Sequence, residues 1–133
     1  MNYTTTVALG LSIEAAIPIV KEALQAQGFG TLTEIDVKST LYEKIGEDFE
    51  PYVILGACNP RLAFRALSAE REIGALLPCN VVVRQSEGGV TVDALDPAIM
   101  AKVTGNPELG PIAEEAALLI GEALAGLKER VAS

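Results

Sequence analysis

Residues 80–95 read NVVVRQSEGGVTVDAL, and this stretch decides the fold. Two β-branched runs flank the turn residues SEGG, which is the pattern of a β-hairpin. Its expected register sets Val83 by Val92, Val81 by Ala94 and Cys79 by Asp96. Upstream, residues 52–58, YVILGAC, are apolar at every position but the first, as an interior strand covered on both sides would be. Pairing that strand antiparallel with the hairpin sets Cys58 opposite Cys79, Gly56 opposite Val81, Ile54 opposite Val83 and Tyr52 opposite Gln85. The shared face is then largely apolar, as a consistent register requires.

Two further alternating runs, 2–9 (NYTTTVAL) and 31–38 (TLTEIDVK), read as strands. Between them Ser12 is placed as an N-cap, and Ile13, Ala16, Ile17, Val20 and Leu24 recur at helical spacing up to Gly28. Pro18 inside this pattern predicts a kink or a later start. Ser39 to Ile45 predicts a short helix closed by Gly46. Asn59-Pro60 opens another, with Asn as cap and Pro at the first helical position, and Pro78 marks the exit. Asp96-Pro97 opens a short helix in the same way, and a long apolar stripe runs from about Pro111 to Val131. The strands cluster instead of alternating with helices. The expected class is therefore α+β: an antiparallel sheet with two main helices, in the order β-α-β(4)-α.

Composition bounds the function. The 133 residues fit one domain, residues 1–133, long enough to bury a core unaided. Half of them are hydrophobic, so the chain is globular. The net charge of −8, with Arg61, Arg65 and Arg71 interrupted by Glu70 and Glu72, speaks against nucleic acid and against an anionic membrane surface. The first residues, MNYTTTVALGLSIEAA, lack the basic start of a signal peptide, and no apolar run is long enough to span a bilayer. The expected location is the cytoplasm, where thiols stay mostly reduced. There is no histidine, which removes the usual general base and the commonest metal ligand.

The chemistry on offer is concentrated in two Cys-Asn pairs, Cys58-Asn59 and Cys79-Asn80. A disulfide between them would close a loop of roughly 20 residues and stabilise by ~3 kcal/mol in the chain-entropy view. Directly opposed strand residues often stand too far apart for that bond, and the compartment is reducing. A metal site needs about four ligands, which two cysteines without histidine do not supply within one chain, so no metal is expected. Cys58 precedes a helix start, and the helix dipole together with Arg61 would lower its pKa; Asp96 would push Cys79 the other way. Both thiols also suit plain packing, since cysteine is a small, often buried hydrophobe. Asn59 has work as a cap. Asn80 opens a strand, where asparagine is disfavoured, and it offers a donor and an acceptor to a ligand. Glu34 and Asp36, two apart on a strand, form a second constellation: a carboxylate pair able to divide acid and base roles or to hold a hard cation, or else a solvated strand face.

The segments GFGTLTEIDVKSTL, PYVILGACNPRLAFRAL, IGALLPCNVVV and DALDPAIM, in this order over nearly the whole chain, resemble the bacterial and archaeal domain-of-unknown-function family 302. That resemblance implies a fold like the TATA-box-binding-protein superfold and no assigned activity. It also implies a histidine or another ring near Phe64, where phenylalanine has no proton to transfer. The functional expectation is a cytoplasmic homodimer that binds a small ligand near Cys58, Asn59, Cys79 and Asn80, with Glu34 and Asp36 as further candidates and no cofactor specified. The alternatives are a thiol-dependent enzyme or redox protein using Cys58, and an interaction module whose cysteines only pack.

Overall fold

The computed structural model describes residues 2–132. The elements are β1 (Thr4–Leu9), α1 (Ile13–Ala26), β2 (Gly30–Asp36), α2 (Val37–Ile45), β3 (Tyr52–Cys58), α3 (Pro60–Ala69), a 3-10 segment at Arg71–Leu76, β4 (Cys79–Ser86), β5 (Gly89–Leu95), α4 (Ala98–Thr104) and α5 (Gly110–Ala132). The strands form one antiparallel sheet in the order β1-β5-β4-β3-β2. This is the expected α+β architecture, consistent with the TATA-box-binding-protein-like order, with α2, α3 and α4 as shorter helices between the main parts.

Local signals set the boundaries. Ser12 caps α1, its Oγ accepting from the Ala15 amide at 3.2 Å. The helix runs from Ile13 straight through Pro18, so the later start does not occur. Strand β2 ends two residues sooner than its alternation suggests. Asp36 turns its Oδ1 to the Ser39 amide at 3.0 Å and caps α2, so Val37 is helical and not extended. Gly46 closes α2 with φ near +69°, a conformation that favours glycine.

Alternation in β3, β4 and β5 buries one face under α1 and α5. Leu55, Val81, Val83, Val92 and Ala94 lie against Ala16, Val20, Leu24, Ile120, Leu124 and Leu127 in one hydrophobic cluster. Each fully buried Val, Leu or Ile there contributes about 1.5–3 kcal/mol of transfer free energy. A second cluster, made by Leu62, Ala66, Ile73, Met100, Leu109, Ile112 and Ala116, packs α3, α4 and the first half of α5 together. Leu119 touches both clusters.

The hairpin register is as expected, with Val81 opposite Ala94 and Val83 opposite Val92. The β3–β4 register is one residue away from expectation. Ala57, not Cys58, stands opposite Cys79, and Gly56 faces Asn80, Leu55 faces Val81 and Tyr52 faces Arg84. Both faces of YVILGAC are apolar, so parity is weakly specified there. The observed register matches Val53, Leu55 and Ala57 to the helix-facing side of β4, and all three are buried. A further constraint sits at Gly56. A Cβ there would run into Thr33 Oγ1 and come within 2.9 Å of Pro78 Cγ, so these two side chains close over the glycine.

Candidate thiol cavity

The end of β3 and the start of β4 lie side by side, and α3 leaves from the first of them. Asn59 makes that departure possible. Its Oδ1 accepts from the Leu62 amide at 3.3 Å, while Pro60 takes the first helical position, where an amide hydrogen is dispensable. Beneath the first turn of α3 is a cavity of about 30 Å³, lined by Cys58, Asn59 and Cys79 together with Phe29, Leu62 and Met100, among others. Its walls come from both hydrophobic clusters, so it lies on the seam between them. Such a space holds a water molecule and falls well short of the ~300–1,000 Å³ that encloses a drug-sized ligand.

The two thiols are free and differ in environment: Cys58 is half-buried and Cys79 is buried. Burial, with a smaller push from neighbouring Cys58, raises the Cys79 pKa from 9.0 to about 11. The direction is the expected one, but its cause is desolvation and not Asp96. That carboxylate, one residue ahead of Pro97, the N-cap of α4, instead accepts from the Ala98 amide at 3.0 Å.

Three of the four Cys-Asn residues therefore meet at one cavity. Asn80 does not join them. It is exposed on the opposite face of the sheet, beside Tyr52, Arg84 and Asp93, because alternation along β4 turns it away from its neighbour Cys79. Glu34 and Asp36 are used separately: Glu34 pairs with Lys21 on α1, and Asp36 caps α2. Phe64 is 73 % exposed and does not line the cavity. Among the described residues no three His, Cys, Asp or Glu side chains form a group able to hold a metal ion. No helix among them is long and apolar enough to cross a membrane.

The apolar walls were not singled out from the sequence. Phe29 carries the clearest signal for one, a large ring directly after the Gly28 that stops α1, and it is 2 % exposed. Met100, 4 % exposed, follows the Asp96-Pro97 helix start by one turn, as a residue turned inward from that helix would.

Fold and cavity together define a two-layer α+β protein with a small, thiol-edged apolar cavity at the head of a capped helix. The chain belongs to the family described as domain of unknown function DUF302, whose model matches residues 3–127. It is also similar to a solved structure, an uncharacterized conserved DUF302 protein from Bacillus stearothermophilus. The identity is 30 %, the match covers 98 % of this chain and 99 % of that one, and the TM-score is 0.84. No curated protein matches the chain.

Proposed function

We propose that this protein binds a small uncharged molecule, of a few heavy atoms and with one hydrogen-bond acceptor, in the cavity beneath α3. The observation that carries this reading is the cavity's lining: Cys58, Asn59 and Cys79 on one side, apolar side chains elsewhere, and no charged group. A charged guest would lose its hydration there without a counter-charge. The Oδ1 of Asn59 is committed to the cap, which leaves its Nδ2 as the side-chain amide donor at the site. Half-buried Leu77 and Pro78 form part of the rim and are the side chains a guest would displace. In this reading the protein works in the cytoplasm, where two unpaired thiols persist.

NMR titration of the labelled protein with acetone, acetonitrile and 2-propanol tests the reading. The expected result is shifts concentrated at the amides of Asn59, Ala63, Cys79 and Ala116, and their loss in Ala63→Leu, which fills the space. Shifts centred elsewhere, or unchanged in that variant, reject it. Thiol chemistry at Cys58 is the second reading. It is favoured by Cys58 being the more exposed of two thiols on one cavity. Native alkylation separates it from plain packing.

A further inference from the structure

Among the described residues no helix covers the sheet face turned away from α1 and α5 as those two cover the other. Register puts Ile35, Tyr52, Ile54, Val82, Arg84 and Asp93 on this side, together with Thr4 and Thr6 of β1. Val82 and Ile54 are only half-buried, and Ile35 is 46 % exposed. We propose that a second copy of this chain covers this face, sheet against sheet, with Ile54 and Val82 of each copy at the centre.

Charge supports that occupant. The chain has ten basic and eighteen acidic residues, yet its strands place only Arg84 and Asp93 on this face. Those two neutralise each other. Asp93 Oδ2 accepts from Arg84 Nε at 2.7 Å, and its Oδ1 accepts from the Thr6 hydroxyl at 2.8 Å. Both carboxylate oxygens are satisfied before any partner arrives, so burial orphans neither. A surface evolved only for water would carry lysines and glutamates at these outward positions. Depletion of charge around an apolar centre, with Tyr and Arg retained, is the composition of an interface core. A net charge of −8 opposes self-association over most of the surface, and this neutral face is where two copies meet without that repulsion.

Area supports it too. Five strands at ~4.8 Å spacing, each about seven residues at ~3.3 Å, present roughly 550 Å². The apolar surface continues past the sheet. Phe49 meets the Tyr52 ring edge-on, with centroids 5.8 Å apart. Helix α2, which contains no buried residue, leaves Tyr42 64 % and Ile45 65 % exposed. Two such sheet faces together bury roughly 1,100 Å², which clears the ~1,000 Å² expected of a specific interface. A two-fold axis through the centre makes the contact self-complementary and closed. This dimer does not depend on a guest in the cavity.

Sedimentation equilibrium of the full chain over a range of concentrations tests the proposal. The expected mass is twice the 13.9 kDa of one chain. Val82→Glu places a carboxylate at the centre of the contact on each copy and weakens dimerisation by about 100-fold or more. Ile35→Glu, at the exposed sheet edge, acts in the same direction and covers the case in which Val82→Glu fails to fold. Leu118→Glu, on an exposed position of α5, leaves the dimer intact. A single-chain mass at all concentrations overturns the proposal, whatever foreign protein or small molecule then binds this face. So does a dimer that survives both sheet variants, or one that Leu118→Glu dissociates.

Discussion

Raising the pH should destabilise this protein through Cys79 in particular. Below pH 9 the thiol is protonated in folded and unfolded chains alike, and its contribution is complete. Between 9.0 and about 11 the unfolded chain releases a proton that the folded chain still holds, so unfolding becomes progressively easier. Above about 11 both states have lost it and the effect levels off. Two pH units at 1.36 kcal/mol each give a loss of about 2–3 kcal/mol across the window. Tyrosines and lysines titrate over the same range, so the measurement is a difference. Urea unfolding of the native chain and of Cys79→Ala is followed by circular dichroism at several pH values from about 8 upward. Cys79→Ala removes a buried sulfur and is less stable throughout, but its curve should fall less steeply, and the two should converge as pH rises. Parallel curves would show that the Cys79 thiol does not resist ionisation in the folded state, and the burial argument would fail.

Gly56→Ala should cost about 1–3 kcal/mol, because its new methyl meets Thr33 Oγ1 and the Pro78 ring. Adding Thr33→Ala should restore only part of this, since Pro78 stays in the way; a neutral Gly56→Ala in urea unfolding would refute that contact. Iodoacetamide should label Cys58 in the native protein and Cys79 only after unfolding, as read by peptide mass spectrometry. Equal native labelling would contradict the burial of Cys79, and no native labelling would remove the thiol reading of Cys58.

Most of the fold was legible because its punctuation is strong. Ser12, Asn59-Pro60, Asp96-Pro97 and Gly46 each mark a helix boundary by a mechanism that does not depend on tertiary context. The hairpin register followed from SEGG and from the alternation on either side of it. The β3–β4 register did not, because every residue of VILGAC is tolerated on either face. A signal was nonetheless present in β4 itself: Asn80 and Arg84 share one parity and Val81 and Val83 the other. That alternation alone turns Asn80 away from Cys79, whichever residue of β3 stands opposite. Asp36 carries two signals at once. A carboxylate two residues after Glu34 on β2 looks like a pair, and the cap to Ser39 shows that Asp36 also ends the strand. The cavity's walls come from elements far apart in sequence, so nothing local announced them.

The position of the cavity between two separately packed clusters has an evolutionary consequence. Leu62, Met100, Ile112 and Ala116 can change size within the smaller cluster without touching the sheet that carries most of the buried surface. Selection thus has one set of residues with which to reshape the space beneath α3 and another with which to keep the chain folded. Descendants of one ancestor can drift apart in what the space admits while sharing the same scaffold.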